Sequence, residues 1–185
     1  MKIQRIITAE GQSGVATRID TIDTAAIKYL SNIWGFDRVP DLPLSPQQAL
    51  GEYQKKGAFG PLGSMRVHLA VAKPEPQKGP QLLRKLRSAV TALHTAATVD
   101  FGTWGGLVRG REGDGIHRTN TIDLIAVIDG EINVGYPGED GQVYEHTIKA
   151  GDVVVHNGTF HNWHNRSTKD CLMFLVVIAA ERKSS

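Results

Sequence analysis

His117-Arg118-Thr119-Asn120-Thr121-Ile122-Asp123, running on into Leu124-Ile125-Ala126-Val127-Ile128-Asp129-Gly130, is the stretch whose reading decides the fold. Residues two apart on a strand share a face. As a strand, the stretch puts His117, Thr119, Thr121, Asp123, Ile125 and Val127 on one side and Arg118, Asn120, Ile122, Leu124, Ala126 and Ile128 on the other. If the first side looks into an interior, Asp123 is a carboxylate beside two apolar neighbours. Such a group must meet a cation, collect hydrogen bonds or take up a proton, because uncompensated burial of its charge costs several kcal/mol. His117 lies six positions earlier, too far along one strand to satisfy it directly. A metal ion between them, completed from another strand, would.

The completing residue stands in a second segment, Gly151-Asp152-Val153-Val154-Val155-His156-Asn157-Gly158-Thr159-Phe160-His161, followed by Asn162-Trp163-His164-Asn165. His117, His161 and Asp123 make two imidazoles and one carboxylate with coordination positions left open, a set suited to Fe(II), Zn(II) or Mn(II). Such a divalent metal polarises a carbonyl, acidifies a bound water or binds O2. Taken alone, a His next to Thr on a strand is an ordinary hydrogen-bonded wall residue. The metal reading rests on Asp123 and the second segment together.

The two segments resemble the paired motifs of the cupins. The first cupin motif runs His-x-His, three or four residues, Glu, six residues, Gly; Gly130 here lies seven positions after Asp123, so Asp123 takes the Glu place. His117 takes the first His place and Thr119 the second. In the second motif Gly151, Gly158, His161 and Asn165 match, while the segment is one residue short and lacks the usual Pro. The opening Lys2-Ile3-Gln4-Arg5-Ile6-Ile7-Thr8, a strand near Met65 and the phrase His117-Arg118-Thr119 are similar to a subgroup of small single-barrel cupins. The resemblance implies a mainly all-β fold, a double-stranded β-helix or jelly-roll barrel, with a metal at its mouth.

His156 offers compensation for the missing second His, as a fourth ligand, a general base or a substrate partner. The near-neutral pKa of an imidazole suits proton transfer. The opposite reading, a solvent-facing turn residue, stays open. His164 differs in parity from His161 and Trp163 and is expected to face outward, with Trp163 in the pocket wall or core. Asn165 reads as structural, since an amide at a strand end bonds readily to turn backbone.

The chain has 185 residues, of which 41% are hydrophobic and 22% charged, an ordinary composition for one globular domain. A formal charge of +2 does not point to nucleic acid, and the cluster Arg84, Lys85, Arg87 reads as the solvated face of a helix. Cys171, the one cysteine, sits in the apolar run Cys171–Ile178 and is expected to be a buried thiol. No signal peptide or membrane-spanning run is evident, so the expected location is the cytoplasm, with no membrane partner.

The predicted organisation is a single domain over 1–185, with N-terminal strands and loops over 1–80, an amphipathic helix over 81–97 and the core barrel over 115–180. Strands are predicted at Ile3–Thr8, at Val15–Asp20 and, beyond the apolar segment Tyr29–Phe36, at Ser64–Ala72. On the last of these, His68 lies opposite Met65, Val67, Leu69 and Val71, either exposed or turned into a polar cavity. Leu82, Leu83, Leu86, Val90 and Leu93 recur at helical spacing after Pro80, forming a cover, a lid or a dimer contact. Trp104 is a core aromatic or a pocket cap. Beyond Ile116 the chain reads as strands and tight turns, with Asp129-Gly130 as a hairpin signal.

Two functions follow. One is a metal-dependent enzyme acting on a small organic molecule, with His117, Asp123 and His161 on the metal and His156 or Thr119 handling protons or orienting the ligand. Its reaction is lyase- or isomerase-type Lewis-acid chemistry, or Fe-dependent oxygenation. The other is a noncatalytic small-molecule binding or sensing barrel. A homodimer is expected, since open sheet edges invite a second copy.

Overall fold

A computed structural model of the chain describes residues 1–11, 14–49, 57–75, 108–110 and 115–183. The predicted helix over 81–97 and Trp104 lie outside these residues. Among them the strands are β1 (Lys2–Gly11), β2 (Gly14–Asp23), β3 (Leu30–Phe36), β4 (Met65–Ala72), β5 (Val108–Arg109), β6 (His117–Arg118), β7 (Thr121–Asp129), β8 (Glu131–Pro137), β9 (Val143–Lys149), β10 (Val153–Asn157), β11 (Asn162–His164) and β12 (Cys171–Ala179). No described helix is long and apolar enough to cross a membrane.

Two antiparallel sheets make the barrel, one in the order β10-β7-β12-β4-β3 and one in the order β11-β8-β9. From β7 onward the chain hops between them: β8 and β9 lie in the second sheet, β10 in the first, β11 in the second, β12 in the first. This alternation is the jelly-roll path. It corrects the hairpin reading of Asp129-Gly130, because both edges of β7 are taken by β10 and β12. The turn is tight all the same. Gly130 has φ 81°, and a Cβ there would stand 2.6 Å from the Asp170 carbonyl oxygen, so only glycine lets the chain cross between sheets at this point.

The alternation read from the sequence fixes what each sheet buries. Ile125 and Val127 of β7, Ile132 of β8, Met173 and Cys171 of β12 and Ala70 of β4 form the core between the sheets. The other side of β4 and β12 carries Leu69, Val71 and Leu172, packed with Ile3 and Ile22 of the β1–β2 hairpin. Arg5 holds that hairpin in place, pairing with Asp20 and donating from Nη1 to the Ile33 carbonyl at 2.6 Å. Cys171 is fully buried, and burial pushes its thiol up to about 11.

The stretch from His117 to Asp129 is not one strand. His117 bridges to His161 and Arg109, whereas β7 pairs with β10 and β12. The partner change falls at Thr119 and Asn120, where Asn120 accepts from Ala180 N–H through its carbonyl at 2.9 Å and from Arg182 Nε through its side chain at 3.0 Å. The inward parity survives the break: Thr119, Thr121, Ile125 and Val127 are buried, and Ile122, Leu124 and Ile128 are exposed.

Candidate metal and ligand site

Four strands and one turn bring the predicted residues to the interior between the sheets. A cavity of ≈ 140 Å³ is bordered by His117, Thr119, Asp123, His161, Trp163 and His68. His117 and His161 meet because their backbones exchange two hydrogen bonds of 2.9 Å, which sets their rings 4.6 Å apart between centroids. His156 is Asp123's cross-strand neighbour on β10, only 1% exposed, and its ring centroid lies 4.1 Å from that of His161. The turn reading of His156 is thereby removed. Thr119 and Thr121 share a hydroxyl–hydroxyl hydrogen bond of 2.5 Å.

Tautomers follow from the partners. His117 Nδ1 faces the Gly115 carbonyl at 3.0 Å and His161 Nδ1 the Thr159 carbonyl at 2.9 Å. A carbonyl only accepts, so each Nδ1 carries a proton, and Nε2 is the nitrogen left for another partner. This is the arrangement in which a backbone carbonyl orients an imidazole for a metal. Asp123 Oδ1 and both ring nitrogens of His156 are buried without a hydrogen-bond partner.

The charges respond to that environment. Burial pushes the Asp123 carboxyl up to about 6, opposed by a hydrogen bond from Thr121. Burial takes His161 down to about 3, helped by the neighbouring His156 and His117. It also takes His156 down to about 4, with His117 adding to the effect. His156 therefore departs from the near-neutral value expected of it and is an uncharged imidazole at neutral pH. At neutral pH the site presents lone pairs from a mostly ionised carboxylate and from the uncharged rings of His156 and His161.

Those donors fit a divalent cation in chemistry, tautomer and protonation. Among the described residues, however, no three His, Cys, Asp or Glu side chains are gathered closely enough to hold one ion. Coordination by three of them therefore requires side-chain movement within the cavity.

The remaining sequence-predicted residues fall as follows. Trp163 lines the cavity beside His161. His164 points away and pairs with Glu75 at 2.5 Å. Asn165 is buried, donating to the Ala72 and Lys169 carbonyls at 2.7 and 2.8 Å and accepting from Ser167 N–H and Oγ at 3.0 and 2.7 Å, the structural role expected of it. His68, which the sequence left undecided, is buried at the cavity wall. Its shared parity with inward-facing Arg66 and Ala70 was the available signal.

No protein-family model matches the chain. The Phomopsin biosynthesis cluster proteins C' and D of Diaporthe leptostromiformis are each 42% identical to it over 52 residues, 28% of this chain. That stretch is 25% of each relative, so the chain spans about a quarter of the length of the curated relatives it matches. Among solved structures, a Cupin 2 conserved barrel domain protein from Salinispora arenicola is 14% identical with TM-score 0.40, over 88% of both chains. The Schizosaccharomyces pombe Cnp3 cupin domain is 7% identical with TM-score 0.40, over 96% of this chain and 83% of its own. An oxalate oxidase in complex with the substrate analogue glycolate is 14% identical with TM-score 0.37, over 81% of this chain and 50% of its own. Those overlaps are loose, and the fold stands on this chain's own strand order: it is an antiparallel jelly-roll barrel.

Proposed function

We propose that this barrel is a metal-dependent enzyme acting on a small organic molecule, with a divalent ion held by His117, His161 and Asp123 and with His156 beside them. One observation carries the reading: a cavity of ≈ 140 Å³ is bordered by His117, His161 and Asp123, and the buried Asp123 Oδ1 beside it has no hydrogen-bond partner. A bound ion would supply Lewis acidity toward a substrate carbonyl or carboxylate or, as iron, redox chemistry with O2. Neutral His156 takes a proton from the ligand, and the Thr119 hydroxyl, coupled to Thr121, orients it. The partial likeness to two biosynthesis cluster proteins supports a small-molecule role.

Metal binding is tested by reconstituting chelator-treated protein with Fe(II), Mn(II) or Zn(II) and measuring bound metal and melting temperature. One ion is expected to bind and raise the melting temperature by mass action. His117→Ala and His161→Ala are each expected to lose most of the metal while keeping the β-rich circular dichroism spectrum. Full occupancy in both variants rejects the assignment. A ligand that binds tightly and is recovered unchanged with every metal, with and without O2, replaces the enzyme by the noncatalytic barrel.

We also propose that the protein is a homodimer. Ile6, Val15 and Ile19 on the hairpin are 56%, 68% and 58% exposed, and Leu124, Val153 and Val155 on the outer face of β7 and β10 are 40%, 64% and 55% exposed. These two apolar patches on one chain suit reciprocal burial in a two-fold pair. Light scattering is expected to give twice the chain mass of 20.2 kDa at micromolar concentration. The single-chain mass throughout that range rejects the dimer.

A further inference from the structure

The cavity holds one buried imidazole that the metal reading leaves unused. His68 comes from β4, outside both motif segments, and is 1% exposed. Its Nε2 lies 3.0 Å from the Ala58 carbonyl oxygen. Since the carbonyl can only accept, Nε2 carries the proton and Nδ1 keeps the lone pair of a neutral ring. That Nδ1 is buried and meets no donor from the protein, although the ring borders the cavity.

The backbone holds this ring firmly. Arg66, two residues away and 2% exposed, donates from Nη1 to the Phe36 carbonyl at 2.6 Å and from Nε to the Gly57 carbonyl at 3.2 Å, and pairs with Asp37. Arg66 thereby fixes the turn that presents the Ala58 carbonyl, and Ala58 fixes the tautomer of His68. Buried polar groups in folded proteins are nearly always satisfied, and an unmatched acceptor on a ring that borders a cavity marks a place where a ligand completes the set. Leu30, Phe59, Leu175 and Val177 give the same cavity an apolar wall.

We propose that His68 Nδ1 is a specificity-determining acceptor, taking a hydrogen bond from a hydroxyl or amine of a small ligand whose body packs against Phe59 and Leu175. The cavity of ≈ 140 Å³ limits the part of the ligand that enters it. A cavity of about 150 Å³ takes benzene, so that part has roughly six to eight heavy atoms. The class is a small hydroxy- or amino-substituted aromatic or carbonyl compound. An analogue of equal shape that lacks the donor leaves Nδ1 desolvated and unpaired, and binds about 10-fold or more weakly. The inference rests on this cavity being the ligand pocket, and not on a metal being in it.

The test uses the full chain with a chelator present, phenol as probe, and anisole and toluene as donor-free controls. Phenol is expected to saturate the protein at least about 10-fold more tightly than either control, and to move the ¹⁵N resonance of His68 Nδ1 upfield as its lone pair accepts the hydroxyl. His68→Leu is expected to abolish the preference, and His68→Asn, which returns an acceptor near the Nδ1 position, to restore part of it. The nitrogen resonance needs no variant, so a folding defect in His68→Leu does not blunt the test. Equal binding of phenol and anisole, phenol binding with His68 Nδ1 unmoved, or no binding at millimolar phenol each overturns the proposal. Metal content of the same preparation after reconstitution reports on the metal reading separately.

Discussion

Asp123→Asn is expected to make the metal-free protein more stable at pH 8 and to abolish its stabilisation by metal. Burial is the main reason the Asp123 carboxyl rises to about 6. A carboxyl whose folded value is raised contributes most to stability below its unfolded value near 3.8, and that contribution is lost as pH climbs through about 6. At pH 8 the charged group therefore opposes folding, by roughly 3 kcal/mol if the whole shift is expressed. Asn keeps the shape and removes the charge. A gain of about 2 kcal/mol would raise the melting temperature by roughly 4–8 °C for a chain of this size. With Fe(II), Mn(II) or Zn(II) added, the order reverses: the natural protein gains stability and the variant does not. The measurement is a pair of melts at pH 8, with chelator and with metal. A variant that melts lower than the natural protein in chelator removes the idea that Asp123 is a strained, cation-seeking carboxylate.

The sequence made some of this site legible and hid the rest for physical reasons. Strand parity placed Thr119, Asp123 and Ile125 on the inner face, because side-chain alternation is a local property that the partner change at Asn120 does not disturb. It also placed His161 and Trp163 on one face and His164 on the other. What local periodicity cannot report is which strands become neighbours. Asp129-Gly130 has hairpin chemistry, and its glycine does hold φ 81°, yet the turn joins two sheets because β7 is already paired on both edges. For the same reason His156 was undecided: its inward direction follows from pairing with Asp123, a contact between residues 33 positions apart. His68 was hidden more deeply, since neither motif includes it and only the packing of the Ala70 face of β4 into the core between the sheets turns it inward. The depressed pKa of His156 was not legible at all, being a consequence of burial among other rings.

Those rings make the metal-free protein acid-labile, and its unfolding is expected between about pH 5.5 and 4. Burial is the leading cause in each case, holding His68 and His156 at about 4 and His161 at about 3, against 6.5 for the unstructured side chain. A histidine whose folded value is lowered contributes stability that is whole above its unfolded value. As pH falls below about 6.5 the unfolded chain takes up protons that the native chain refuses. Each such group then costs about 1.4 kcal/mol per pH unit. Three together would cost roughly 4 kcal/mol per unit below about pH 6, and protonation of Asp123 in the native state returns about one third of that while pH passes from 6 toward 4. The net loss over two units, about 5 kcal/mol, matches the lower end of the total stability of an ordinary domain. A bound metal would delay the transition by competing with protons for His161 and Asp123. Circular dichroism melts in chelator at pH 7, 6, 5 and 4 read the slope directly, and His156→Gln is expected to reduce it by about one proton's worth. A melting temperature that stays level from pH 7 to pH 4 would mean that these imidazoles accept protons without cost in the folded state, and would remove them from the buried interior of the barrel.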